Sequence, residues 1–99
     1  MTGPFEFITD SSFTDEYADI PERMRGGMIR YINTGIVPGH FLTAIITNDL
    51  KEVVRRADDE NMQLIPLYVR WFYNQAPSPC WGSPTRLREW VQERQGGVA

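Results

Sequence analysis

The residues of this 99-residue chain that could do chemistry are mainly arginines and tyrosines. Nine of the ten basic residues are Arg, whose guanidinium group suits planar recognition of phosphate and stacking on flat rings. A ligand that carries phosphates and bases needs such cations beside aromatic side chains. The sequence offers both in two segments, which contain Tyr17, Arg23, Arg25, Arg30 and Tyr31, and then Arg55, Arg56 and Arg70. On composition alone, the simpler interpretation is that the arginines only cover solvent-exposed helix surfaces.

The groups that catalyse hydrolysis are scarce in the sequence. His40 is the single histidine and Cys80 the single cysteine, so an internal disulfide is impossible and no histidine–cysteine set can bind zinc. Asp58, Asp59 and Glu60 are consecutive on a predicted helix, where neighbouring side chains point in different directions, so we interpret them as a solvated face. The chain contains neither a P-loop nor a GxGxxG motif. We therefore expect a binding protein, not an enzyme, with no cofactor and no metal.

Charge is distributed unevenly along the chain. Residues 1–22 hold six acidic and no basic residues, whereas residues 23–99 hold ten basic and seven acidic ones. The overall charge of −3 argues against binding to duplex DNA. A hydrophobic content of 41% excludes wholesale disorder. The sequence has no 18-residue apolar run and no basic–apolar leader, which predicts a cytoplasmic protein with no membrane partner.

Two helices are predicted to meet at a tight corner. An apolar stripe at helical spacing runs from Ile20 to Tyr31, with Asp19 as a candidate cap at its start. Gly35 is typical of a helix end in the left-handed conformation, and Pro38 cannot continue a helix. Together these signals predict helices over residues 21–34 and 40–47.

A second apolar stripe at helical spacing runs from Leu50 to Phe72 and predicts one long element. Pro66 should kink this element or split it near residues 62–65. Packed against the first helix, it would form an antiparallel helical hairpin. Asn61 lies on the stripe, where a polar residue can fix register or oligomeric state. It could equally bond to a backbone carbonyl or to Asp58.

Gly26 and Gly27 interrupt the first predicted helix, and each costs about 1 kcal/mol relative to alanine. Either a neighbouring helix or a ligand should therefore approach the backbone there. Ser83 and Pro84 start a short last helix. The predicted fold class is all-α and single-domain, with an arm or short helix at residues 1–19 and the helical hairpin at residues 20–99. So small a chain buries only about 60–65% of its unfolded surface, which favours oligomerisation.

The segment from Met28 to Leu50 resembles a family of small bacteriophage proteins. The resemblance continues through RADDEN at residues 56–61 and FYNQAP at residues 72–77, and it closes with CWGSP at residues 80–84. The family is that of the anti-CBASS sponges, which bind cyclic oligonucleotide messengers and hold them away from bacterial immune effectors. The resemblance covers roughly residues 20–91 and leaves out the first 19.

The resemblance implies a homo-oligomer, a hexamer in this family, with pockets where subunits meet. It also implies an aromatic residue near the amino terminus that stacks on a base, and Tyr17 is the best match. The alternative for Tyr17 is a packing role under the hairpin. Arg25 and Arg30 compete for the role of the basic residue that holds phosphate, and either would replace a lysine of the family. The candidate ligand-binding residues are thus Tyr17, Arg23, Arg25, Arg30, Tyr31, Arg56 and Arg70.

The expected function is that of a phage-encoded sponge in the cytoplasm of an infected bacterium. It would sequester cyclic di- or trinucleotides without cleaving them and so block CBASS signalling. Two rival functions stay open. One is a helical inhibitor or adaptor that binds a host defence protein through an apolar, Arg-rich face. The other is a sponge for a messenger of the cyclic ADP-ribose type.

Overall fold

A computed structural model of the protein describes residues 8–96, and every regular element within them is helical. Six α-helices follow one another along this part of the chain. They are α1 (Glu22–Thr34), α2 (His40–Ile46), α3 (Leu50–Arg56), α4 (Asp59–Gln63), α5 (Ile65–Gln75) and α6 (Pro84–Gln95). Short 3-10 turns cover Asp10–Ser12, Asp15–Tyr17 and Ser78–Cys80. The all-α prediction is confirmed, and none of the described helices is long and apolar enough to cross a membrane.

The corner after α1 has the predicted backbone geometry. Gly35 adopts the left-handed conformation with φ of 75°, and its N–H donates to the carbonyl of Tyr31 at 2.9 Å. The start of α1 differs from the prediction, because Pro21 occupies the capping position and no side chain caps the helix. Asp19 is therefore not the cap. A fixed φ near −65° lets proline begin a helix without a side-chain acceptor.

The predicted long element is three separate helices. The break at Leu64, between α4 and α5, falls inside the predicted interval, and Pro66 lies in the first turn of α5, where its missing N–H costs nothing. The break at Ala57 and Asp58 was not predicted. Asp58 is extended there and its carboxylate accepts the N–H of Asn61 at 2.8 Å, which caps a new helix.

The described part of the amino-terminal segment packs on the helices. Phe13 stacks on Trp71 with ring centroids 4.9 Å apart, and the indole N–H of Trp71 donates to the carbonyl of Ser12 at 3.1 Å. The side chain of Asn33 forms two hydrogen bonds with the backbone of Ile8, each 2.8 Å long. Residues 1–7 of the predicted arm lie outside the described residues. The boundary between residues 19 and 20 stays a prediction.

Helix α6 closes the core beside the corner. Ser83 caps it as predicted, since its hydroxyl accepts the N–H of Arg86 at 3.1 Å. The indole N–H of buried Trp90 lies 3.3 Å and 3.2 Å from the carbonyls of Tyr31 and Ile32 at the end of α1. These contacts fix α6 against α1.

Candidate ligand-binding residues

Arg23 is committed to an ion pair with α4. Its Nη2 lies 3.2 Å from Oδ2 of Asp58 and 2.8 Å from Oε1 of Glu60. The hydrogen bond to Glu60 is the main reason that the pKa of Arg23 is raised. Two of the three acids of the predicted solvated face thus neutralise a candidate cation, and Arg23 ties α1 to α4 in this conformation.

Arg25 holds the segment that precedes α1. Its Nε donates to the carbonyl of Ile20 and its Nη2 to the carbonyl of Ala18, both at 2.9 Å. The guanidinium carbon also lies 5.3 Å from the centroid of the Phe13 ring, a cation–π distance. These three contacts give Arg25 a structural role.

Arg30 is exposed, and within residues 8–96 its guanidinium forms no ion pair and no hydrogen bond. The group folds back over Gly26, where a Cβ would lie 3.1 Å from Nη1 of Arg30. By contrast, a Cβ on Gly27 would meet Leu42 and Pro38 at 3.6 Å and 3.7 Å, which is ordinary contact. Neither helix packing nor φ therefore requires glycine at position 26, and Arg30 is the candidate cation of α1 that stays open to a ligand.

The arginines of the second segment also divide into those with an acidic partner and one without. Arg56 and Arg55 both pair with Glu52, at 3.1 Å and 3.3 Å. The hydrogen bond from Arg56 is the main cause of the lowered pKa of Glu52. Arg70 on α5 is exposed and has no acidic partner in the part of the chain that the structure describes.

Neither predicted aromatic residue presents a ring to solvent. Tyr17 is 1% exposed, and its hydroxyl accepts a hydrogen bond from Nδ2 of Asn74 at 3.0 Å. Tyr31 is fully buried and its hydroxyl donates to the carbonyl of Cys80 at 2.6 Å, while burial raises its pKa. Both side chains pack in the core in this conformation. For Tyr17, this position corresponds to the packing role that was the alternative to base stacking.

Asn61 is also a core residue. It is 3% exposed, and its Oδ1 accepts the hydroxyl hydrogen of Tyr68 at 2.6 Å. Its backbone N–H bonds to Asp58. Asn61 therefore joins α4 to α5 inside one chain, and in this conformation it has no surface to offer at a seam between subunits.

The two candidates for nucleophilic chemistry lie in different environments. His40 is exposed at the start of α2, whereas Cys80 is fully buried. Burial raises the pKa of the Cys80 thiol to about 12, so the thiol is protonated at neutral pH. A thiol needs ionisation to act as a nucleophile. Within residues 8–96, no group of three or more His, Cys, Asp or Glu residues could hold a metal ion.

Tyr73 is the exposed aromatic residue that sequence reasoning missed. Its side chain is 78% exposed on α5, one turn after Arg70. The signal was present in the sequence, because the apolar stripe ends at Phe72 and Tyr73 falls outside it. Leu50 and Val69, also exposed, border a cavity of about 70 Å³ between α3 and α5. With Val54 these residues form what we call the α3–α5 face: Leu50, Val54, Val69 and Tyr73.

Comparison of the chain with protein-family models, with curated proteins and with solved structures gives no match. Function must therefore be inferred from the residues of this chain. In the described structure, the open groups from the predicted set are Arg30 and Arg70.

Proposed function

We propose that this protein is a phage-encoded sponge that holds a cyclic di- or trinucleotide messenger in the infected bacterial cytoplasm and so blocks CBASS signalling. The observation that carries the proposal is the exposed Arg30 guanidinium over the bare backbone at Gly26. No carboxylate among residues 8–96 neutralises this cation, so a ligand phosphate can do so. Arginine offers phosphate two parallel N–H donors, and such charge-assisted contacts are short and strong.

A second pair of groups on α5 supports the same ligand class. Arg70 and Tyr73 are exposed and one helical turn apart. Stacking of a base on an aromatic ring contributes about 1–3 kcal/mol. Helix α5 thus offers a cation and a flat ring, the two groups that a cyclic oligonucleotide requires.

The environments of the acids and of Cys80 favour sequestration over cleavage. Hydrolysis of a phosphodiester needs a metal clamp, or a positioned base with an activated nucleophile. Asp58 and Glu60 are paired with Arg23. The thiol of Cys80 is buried and protonated. A ligand that binds at Arg30 should therefore be released intact.

A homo-oligomer is part of the proposal. The α3–α5 face leaves four apolar side chains in water, Leu50 and Val69 border one cavity, and exposed apolar surface of this kind marks interaction sites. We propose that copies of the chain cover this face in a hexamer and that ligand pockets lie where subunits meet. The antiparallel helical hairpin of residues 21–34 with residues 50–72 belongs to the same proposal.

The exposure of Tyr73 also favours one rival. Tyrosine and arginine are enriched in protein–protein interfaces, so the α3–α5 face with Arg70 could bind a host defence protein instead. A protein inhibitor of that kind would bind no small ligand on its own. A sponge for a cyclic ADP-ribose type messenger would bind that compound and no cyclic oligonucleotide.

The test is calorimetric titration of the purified protein against cyclic di- and trinucleotides and a cyclic ADP-ribose compound. We expect tight binding of at least one cyclic oligonucleotide. Because a hydrogen bond to a charged group contributes about 1.5–3 kcal/mol, Arg30→Gln should weaken that binding roughly tenfold or more. Arg55→Gln is the matched control, since it removes the same charge from an exposed arginine that pairs with Glu52.

Binding to no member of the panel would sink the sponge proposal. Equal affinity of the Arg30 and Arg55 variants would remove Arg30 from the site. After denaturation of the complex, chromatography should recover the messenger unchanged, whereas linear products absent from a protein-free control would identify an enzyme.

A further inference from the structure

Residues 8–20, which we call the strap, contact α1 and α5 without forming an α-helix of their own. The regular structure of the strap consists of two 3-10 turns, Asp10–Ser12 and Asp15–Tyr17. Its internal backbone hydrogen bonds all join residues three apart, a geometry poorer than that of an α-helix. What holds the strap in place is therefore its contacts with the two helices.

The ring of Phe13 is the centre of these contacts. It stacks on the indole of Trp71 with ring centroids 4.9 Å apart and planes 11° from parallel. The guanidinium carbon of Arg25 lies 5.3 Å from the centroid of the same ring. An indole from α5 and a guanidinium from α1 thus hold one flat ring of the strap. Aromatic side chains and arginine planes are also the groups on which proteins stack nucleic-acid bases.

Arg25 binds the strap through two parallel donors. Its Nε donates to the carbonyl of Ile20 and its Nη2 to the carbonyl of Ala18, both at 2.9 Å. Two N–H groups of one guanidinium on two oxygens is also the arrangement in which arginine binds phosphate. The strap carbonyls therefore occupy donors that fit a phosphate group.

Helix α5 donates two further hydrogen bonds to the strap. Nε1 of Trp71 donates to the carbonyl of Ser12 at 3.1 Å, and Nδ2 of Asn74 donates to the hydroxyl oxygen of Tyr17 at 3.0 Å. Trp71 and Asn74 are three residues apart and so lie on one side of α5. In each of these contacts, as in those of Arg25, the helix supplies the donor and the strap supplies the acceptor. Ionised phosphate offers acceptors only, so it matches the same donors.

We propose that the strap is a displaceable cover over a nucleotide-binding slot formed by Arg25, Trp71 and Asn74. A base of the messenger replaces Phe13 on Trp71, and a phosphate replaces the strap carbonyls on Arg25. The inference rests on the proposed function and deepens it, because it adds a second site for the same ligand class and a conformational step that controls access to it.

The closed strap lowers the affinity of this slot. A minor conformation is commonly populated at about 0.1–10%, and the apparent affinity of a ligand that needs it falls by the same fraction. The strap should thus weaken binding at the slot about 10- to 1,000-fold. Loosening the strap should then tighten binding, which is the opposite of what the loss of an ordinary ligand contact does.

Amide hydrogen exchange of the wild-type protein tests the displacement directly. It is measured on the free protein and with each cyclic di- and trinucleotide of the calorimetric panel in excess. In the free protein, the amides of Phe13, Tyr17 and Ile20 should exchange faster than those of α5, because the strap opens locally. The bound nucleotide should make these strap amides exchange faster still and should slow the exchange of α5.

Calorimetry tests the slot in the Arg30→Gln background, which removes the proposed contact at Gly26. Adding Phe13→Ala should raise the affinity about tenfold or more, since it weakens the closed strap. Adding Arg25→Gln as well should cancel that gain. Phe41→Ala is the matched control, because Phe41 is a similarly buried phenylalanine that contacts the ring of Tyr68 away from the strap. This control should not raise the affinity.

Circular dichroism of each variant checks that the fold is retained, and the exchange experiment decides the question without any variant. Strap amides that exchange more slowly in the complex, or a folded Phe13→Ala protein that binds no more tightly, would overturn the inference and leave the sponge proposal intact. Failure of the wild-type protein to bind any cyclic oligonucleotide would overturn both.

Discussion

The buried pair of Asn61 and Tyr68 provides the clearest test at the scale of single residues. Tyr68 is fully buried and Asn61 is its hydrogen-bond partner at 2.6 Å. Asn61→Leu would strand the hydroxyl without a partner, and an unsatisfied buried group costs about 1–3 kcal/mol. We expect urea unfolding to show a loss of stability of that size.

The double variant Asn61→Leu with Tyr68→Phe is the matched control. It removes both polar groups, so it should be less destabilised than the two single changes predict together. A change in molecular mass with unchanged stability would instead assign Asn61 to the seam between subunits.

Asp58 should make stability depend on pH. Its hydrogen bond from the N–H of Asn61, with a further contribution from Arg23, lowers its pKa below the ordinary value of 3.8. A lowered folded-state pKa stabilises the fold above the unfolded pKa of about 3.9, and this contribution disappears as pH falls through the folded value. The urea midpoint should therefore fall as the solution is acidified below about pH 4.

Asp58→Asn should flatten this acid dependence, because asparagine can still cap α4 but does not ionise. Asp59→Asn, an exposed neighbour with the same charge, should keep the wild-type slope. Identical slopes for the two variants would show that Asp58 is not the group responsible.

At the scale of elements, Gly26 inside α1 and Gly35 at the end of α1 have opposite effects on stability. Gly35 has φ of 75° and no room for a Cβ beside Arg94, so Gly35→Ala should destabilise the protein by more than about 1 kcal/mol. Gly26 is helical, and an added Cβ would meet only the mobile end of Arg30. Gly26→Ala should therefore stabilise α1 by about 0.5–1 kcal/mol, as measured by thermal unfolding.

The same Gly26→Ala variant tests why the glycine is there. If the bare backbone positions Arg30 for phosphate, the more stable variant should bind the messenger less tightly. Unchanged or improved affinity would show that the Arg30–Gly26 contact has no part in binding. Gly27→Ala serves as the control, because its Cβ would face Leu42 and Pro38 inside the protein.

At the scale of the whole molecule, the α3–α5 face predicts assembly. Size-exclusion chromatography with light scattering should give a mass well above that of the 11.4 kDa chain, and six times that mass for a hexamer. Leu50→Ser with Tyr73→Ser should lower the mass, because both side chains are more than two-thirds exposed in the single chain. Ile36→Ser, an exposed apolar residue of the α1–α2 connection, should leave it unchanged.

A wild-type mass equal to one chain at micromolar concentration would exclude the oligomer. An assembly that persists in the Leu50 and Tyr73 variant would place the interface elsewhere. Either result leaves the fold of the single chain as described.

Local signals in the sequence determined most of the helices. Gly35, Ser83 and Pro84 act on their own backbone neighbourhood, and the structure has their turn and cap as expected. Apolar spacing likewise identified the helical segments, since it reflects one face of each helix. Apolar spacing could not reveal the break at Ala57, because the same spacing continues on both sides of it. The break depends on the capping bond from the N–H of Asn61 to Asp58.

Only the tertiary structure decided which polar and aromatic side chains are open. The sequence shows nine arginines of equal chemistry, but their availability depends on acids and carbonyls distant in the chain. Arg23 meets Glu60 across 37 positions and is neutralised, whereas Arg30 meets no described acid. Tyr17 and Tyr31 are buried by α5 and by the Cys80 turn, contacts that spacing along one helix cannot encode. Exposure is a property of the packed molecule, which is why the sequence determined the helices and the fold determined the candidate site.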